Sequence, residues 1–193
     1  MSATGGRPMI LASGSPQRRA ILGQLGVDFT VVVSGAEELS TGRPEEVAVE
    51  NARRKARAAA EQAAGGETVL GVDTLVALGE RIYGKPADRG EAAEALRALA
   101  GRSHRVLSGI CLIDDGGERT VSALTRVSIR PLGDKEIDWY LDTGEWQGRA
   151  GGYAIQGRGA ALVRSIEGDY LNVVGLPVAT LLDLLPSLLF TAI

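Results

Sequence analysis

Residues 11–22 read Leu-Ala-Ser-Gly-Ser-Pro-Gln-Arg-Arg-Ala-Ile-Leu, an order that leaves the chain few choices. The apolar run from Met9 to Ala12 suits a buried strand, Ser15 suits a helix N-cap, and Pro16 suits the first helical position, where no N–H is needed. The stretch therefore predicts strand, tight polar turn and helix in quick succession. Gly14 would let a ligand approach the backbone, Ser13 and Ser15 add hydroxyls, and Arg18 and Arg19 place positive charge on the first turn. A phosphate would find both dipole and donors there, although a plain capped helix start explains the same letters.

The other functional classes are narrowed by composition. With 193 residues, 45% of them hydrophobic, the chain can bury the core of one globular domain with two lobes. A net charge of −3 gives no basic field for nucleic acid. Cys111 and His104 are single representatives of their types, so a disulfide framework, a cysteine-based zinc site and a multi-histidine metal site cannot be built. Residues 1–8 are expected to be a disordered leader rather than a signal peptide, and residues 9–193 one domain. Near the other end Pro177, Asp183 and Pro186 break the apolar run, which predicts a core-docked helix and an apolar tail but no membrane span. A cytoplasmic location fits.

After the first helix, which Gly26 can end, a strand is expected over Phe29–Val33, followed by the acids Glu37 and Glu38. These read as a solvated turn or as metal ligands. A long helix is expected from Pro44 to Ala64. Its charges Glu46, Glu50, Arg53, Arg54, Arg57 and Glu61 share one side, its alanines the other, and Lys55 projects from the alanine face. Such a lysine either snorkels to a surface or reaches into a site, and the small size of its neighbours favours the site. Thr68–Leu78 is the most strand-like part of the chain, with Asp73 and Thr74 inside it, and a buried acid calls for a partner or a metal. Gly79-Glu80 closes a hairpin into Arg81–Tyr83. Lys85, between Gly84 and Pro86, sits on stiff backbone and is either a placed point charge or a surface lysine.

Asp88 and Glu91 start the next helix, Gly101 ends it, and His104 reads as a structural hydrogen-bonding residue. Strands over Arg105–Ile113 and Thr120–Ile129 are joined by a turn at Asp114–Gly117. A short helix over Asp134–Asp142 stops at Gly144. The glycine-dense stretch 144–159 implies a shaped loop in which Tyr153, Ile155 and Gln156 are available to pack against or bond a base. The chain closes with 161–166, a Glu167-Gly168 turn, 170–174 and a helix over 177–185.

A phosphate-shaped turn, isolated lysines at 55 and 85, a strand-embedded Asp73 and the acids at 37 and 38 are the parts of a nucleotide phosphate site. No Walker A spacing surrounds Lys85.

The motifs Leu11–Pro16 with Arg18, Asn51–Ala56, Gly71–Thr74, Gly84–Pro86, Ala150–Gly157 and Val174–Pro177 stand in one order along the chain. In them the sequence resembles the Maf-like nucleoside triphosphate pyrophosphatases, nearest the dTTP/UTP branch, from Met9 to Leu185. The resemblance implies an α/β fold, a mixed central sheet with flanking helices and two lobes around a cleft. It also implies hydrolysis of a nucleoside triphosphate to the monophosphate and pyrophosphate with Mg²⁺ or Mn²⁺. Carried over residue by residue, it makes Asp73 the proton acceptor and a metal neighbour with Glu38, and makes Ser13, Arg18, Lys55 and Lys85 phosphate ligands, to which the turn itself adds Ser15. It makes Gln17, Thr74 and Gln156 the specificity positions. Thr74 and Gln156 match the pyrimidine type, whereas that branch carries Arg where this chain has Gln17, exchanging a cation for an amide. The expected partner is a nucleoside triphosphate, with no nucleic acid and no membrane, and a homodimer is one expected assembly. The rival readings are a nucleotidyltransferase that needs an acceptor and a nucleotide-binding regulator of septum formation without turnover.

Overall fold

The computed structural model describes residues 8–189; the expected leader, apart from Pro8, and the end of the apolar tail lie outside them. Strand β1 (Met9–Ala12) leads into helix α1 (Pro16–Gln24), and β2 (Phe29–Val31) into α2 (Pro44–Ala60). Then come β3 (Thr68–Leu78), β4 (Arg81–Tyr83), α3 (Arg89–Leu99), β5 (Ser103–Asp114) and β6 (Gly117–Ile129). The remainder is α4 (Asp134–Leu141), β7 (Val163–Glu167), α5 (Tyr170–Val174) and α6 (Val178–Leu184), with short 3-10 turns between. No helix among the described residues is long and apolar enough to cross a membrane.

The strands form one mixed sheet in the order β2-β1-β3-β5-β6-β7, with β4 on the free edge of β3. β1 runs parallel to β2 and β3, and every other pairing is antiparallel. The mixed α/β class expected from the family resemblance is therefore what forms. Several expected elements are shorter than the sequence suggested, β2 and α2 among them. β2 stops at Val31 rather than Val33, and α2 stops at Ala60 rather than Ala64, where Gln62 and Ala63 bond back over three residues and Gly65 and Gly66 take positive φ.

Helix α2 lies directly on β3 and β5. A Cβ at Gly71 would sit 2.2 Å from the Ala52 carbonyl oxygen, and one at Gly109 would sit 2.2 Å from that of Ala48. Two glycines facing buried alanines thus let backbone approach backbone. Side chains alternate along β3, so Val69, Gly71, Asp73, Leu75 and Ala77 face α2. Leu70 and Val72 face the opposite layer with Leu22, Leu176 and Leu181, and Val76 faces a second core around Leu96, Ile137 and Tyr140.

The position of the site follows from the pairing. β1 ends opposite Gly71, and antiparallel β4 ends opposite Val76. Between them Val72 to Leu75 have no strand neighbour on that edge among the described residues. A cleft opens there at the carboxyl end of parallel β1, where open α/β sheets place ligands.

Candidate active site

The cleft has a volume of about 400 Å³. One wall is the turn after β1, the floor is β3, and the far wall is Lys85 together with residues 148–150 and Tyr153 of the glycine-rich loop. Ser13, Ser15, Gln17, Arg18, Glu38, Lys55, Asp73, Thr74 and Lys85 all line it. Gln156 does not: its neighbour Ile155 turns into the core, and Gln156 is exposed outside the lining.

The turn after β1 forms as its sequence suggests, with one difference. Ser15 caps α1 by accepting from the Arg18 N–H, but the Ser15 N–H donates to Ser13 Oγ (3.2 Å) and the Ser13 N–H to the Leu11 carbonyl. Part of the donor set expected to face outward is therefore used within the turn. Arg18 is buried and fully oriented: Nε donates to the Gly175 carbonyl (2.8 Å), Nη1 to Ser13 Oγ (2.8 Å) and Nη2 to Thr74 Oγ1 (3.0 Å). Burial pulls its guanidinium below the usual arginine range, and the charges of Asp73 and Glu38 offset part of that pull. The Val174–Pro177 motif thereby gains a role, since its Gly175 carbonyl anchors Arg18.

On the α2 side of the sheet, Lys55 Nζ lies 2.6 Å from both Asp73 Oδ1 and Glu38 Oε1. Lys55 and Asp73 are 8% and 7% exposed, so this pair exchanges hydration for direct contact. Asn51, one helical turn before Lys55, holds the arrangement. Its Oδ1 accepts from the Leu39 N–H (2.7 Å), and its Nδ2 donates to the Leu39 carbonyl (3.0 Å) and to Asp73 Oδ2 (3.1 Å). One amide thus fixes both the segment that carries Glu38 and the carboxylate of Asp73. Glu37, the other member of the acid pair, is exposed, and among the described residues only its carbonyl is engaged, by Arg54.

Three contributors escape sequence reading. Asn51 could have been found by its spacing of four from Lys55, which puts both on one helix face. Ser108, bonded to Thr74 Oγ1 at 2.8 Å, is visible only once β3 and β5 are in register. Arg149 lines the far wall from within the glycine-rich loop, where nothing marks it out among neighbouring arginines. The single histidine is structural, as its lack of histidine partners suggested. His104 Nε2 lies 2.8 Å from the hydroxyl of Tyr153, which lines the cleft, and burial pushes His104 down to about 4.

No group of three or more histidine, cysteine, aspartate or glutamate side chains that could hold a metal occurs among the described residues. Glu38 and Asp73 nevertheless converge on one point, and a carboxylate pair completed by phosphate oxygens and water is a usual set for Mg²⁺.

The model of the Maf-like protein family matches residues 8–188. The dTTP/UTP pyrophosphatase of Thermococcus gammatolerans is 50% identical over 169 residues, covering 88% of this chain and 90% of that protein. The dTTP/UTP pyrophosphatase of Deinococcus radiodurans is 47% identical over 178 residues, 92% of this chain and 91% of that one. Among solved structures the chain is similar to the nucleoside-triphosphatase / dITP/XTP pyrophosphatase of Mycobacterium abscessus, with 18% identity, coverage of 96% of this chain and 100% of that one, and a TM-score of 0.48.

Proposed function

The chain belongs to the Maf-like protein family, and we propose that it is a nucleoside triphosphate pyrophosphatase that cuts pyrimidine triphosphates such as dTTP and UTP into the monophosphate and pyrophosphate. The observation that carries this reading is the convergence of Ser13, Arg18, Lys55 and Lys85 with Glu38 and Asp73 in one cleft. Cations and hydroxyls there match a polyphosphate, and the carboxylates match the proton and charge handling of its hydrolysis.

Asp73 is the group placed to take the proton from the attacking water. Its carboxylate is fixed by Lys55 and Asn51, and each oxygen retains a lone pair for a further donor. Attack at the α-phosphorus breaks its bond to the bridging oxygen and releases pyrophosphate, so the oxygen gained from water stays on the monophosphate. Ser13 and Arg18 form the wall against which the triphosphate lies, and Lys85 faces it. Glu38 and Asp73 would hold a divalent cation, Mg²⁺ or Mn²⁺, which neutralises phosphate charge when bound. Gln17 stands beside the turn and accepts from the Ser15 hydroxyl at 3.2 Å, where it can influence which nucleotide is accepted.

Pyrophosphate release from a panel of normal and modified triphosphates, with Mg²⁺ or Mn²⁺, tests the reading. Release from dTTP or UTP without an added acceptor supports it. Release only with a sugar-phosphate acceptor indicates a nucleotidyltransferase, and binding without turnover indicates a regulator.

A further inference from the structure

The cations of the cleft differ in how far they are already committed. Arg18 spends its guanidinium on Ser13, Thr74 and the Gly175 carbonyl, and Lys55 is held between two carboxylates. Lys85 and Arg149 are different. No ion pair or side-chain hydrogen bond joins either of them to another described residue, and the Nε of Arg149 is buried without a partner. A buried guanidinium nitrogen that lacks an acceptor is costly unless a ligand supplies one.

Both unpaired cations sit on the same wall, and the backbone fixes their relation. The Gly151 N–H donates to the Gly84 carbonyl at 3.0 Å, which ties the loop carrying Arg149 to the turn carrying Lys85. Gly151 has φ +69° and lies against Val76 on the cleft floor, where a Cβ would come within 3.0 Å of its methyl groups. Gly152 packs on Pro86 and Ala92. The buried Trp146 closes the start of the same loop, its indole N–H donating to the Leu141 carbonyl at 3.1 Å. Arg149 is therefore presented by a fixed loop.

We propose that Arg149 is a substrate-binding residue and that Arg149 and Lys85 together receive the pyrophosphate end of the triphosphate. The proposal rests on the pyrophosphatase reading and adds a division of labour to it. The wall built from Ser13, Arg18 and Thr74 is already neutralised or bonded internally and shapes the site. The opposite wall holds two cations that no described residue pairs, free to stabilise charge on the leaving group. The guanidinium fork also suits two phosphate oxygens at once, whereas a lysine at this position would act as a point charge.

Calorimetric titrations of the full chain with inorganic pyrophosphate and, separately, with dTMP in Mg²⁺ buffer test this. In Arg149→Met, pyrophosphate should bind about 10- to 100-fold more weakly, the loss of a charge-assisted contact, while dTMP affinity stays the same. Arg149→Lys should recover part of the loss. Unchanged pyrophosphate affinity in Arg149→Met, an equal loss for dTMP, or no pyrophosphate binding by the unmodified chain would overturn the proposal. Failure of the pyrophosphatase reading shows itself separately, as the absence of monophosphate when the unmodified chain is incubated with triphosphates.

Discussion

Lys55 Nζ lies 2.6 Å from Asp73 Oδ1, joining the middle of α2 to the middle of β3. That contact exists because Gly71, two residues before Asp73, brings the helix against the strand, and because alanines flank Lys55. The same ammonium touches Glu38, so in the absence of other ligands a lysine fills the place where the two carboxylates would share a cation.

On the proposed reading, Lys55 and a divalent ion would draw on the same oxygens. Lys55→Met should bind Mn²⁺ about tenfold more tightly in the absence of nucleotide, equivalent to about 1.4 kcal/mol, while its kcat/KM for triphosphates falls. Mn²⁺ binding followed by electron paramagnetic resonance measures this, and equal affinity in the two proteins would separate Lys55 from the metal ligands.

Asp73→Asn keeps the shape of the side chain but cannot accept a proton. Turnover should fall by about 10²- to 10⁴-fold while triphosphate affinity changes little. Single-turnover kinetics combined with equilibrium binding separates the two, and retained turnover would remove Asp73 from the proton-accepting role.

The fit between α2 and the sheet has no room for a methyl group. Gly71→Ala would set a Cβ 2.2 Å from the Ala52 carbonyl, an overpacking that costs about 1–3 kcal/mol or more. At about 2–4 °C per kcal/mol for a chain of this size, thermal unfolding should shift down by several degrees. Activity should fall with it, since α2 carries Asn51 and Lys55.

His104 couples the far wall to pH. Its native value of about 4 lies below the ordinary 6.5 because burial penalises the charged ring. Between those values the unfolded chain binds more protons than the folded one, so stability is complete above pH 6.5 and declines as pH falls toward 4. The loss by pH 5 should be about 2 kcal/mol. Urea unfolding at pH 7.5 and pH 5 should show a smaller pH difference for His104→Gln, and an identical difference would assign the acid sensitivity to other groups.

What could be read from the sequence was local chemistry. Gly14-Ser15-Pro16 announces a capped turn, Lys55 stands out against alanine, and Asp73 stands out in an apolar strand, because each contrasts with its immediate neighbours. What could not be read depended on partners brought from a distance. The acid pair gives no hint that Glu38 rather than Glu37 meets Lys55; that choice is made by the grip of Asn51 on Leu39. Gln156 looked as available as Tyr153, but the turn of Ile155 into the core sends it outside the cleft lining. Arg149 is one arginine among many until the Gly151–Gly84 bond ties its loop to the turn that carries Lys85 and both line one cleft.

Water attacks the α-phosphorus in the proposed reaction, which fixes where its oxygen ends up. Hydrolysis of dTTP in ¹⁸O-labelled water, with products resolved by mass spectrometry, follows that oxygen. The label should appear in dTMP and be absent from pyrophosphate. Label in the pyrophosphate, or release of orthophosphate in its place, would rule out attack at the α-phosphorus.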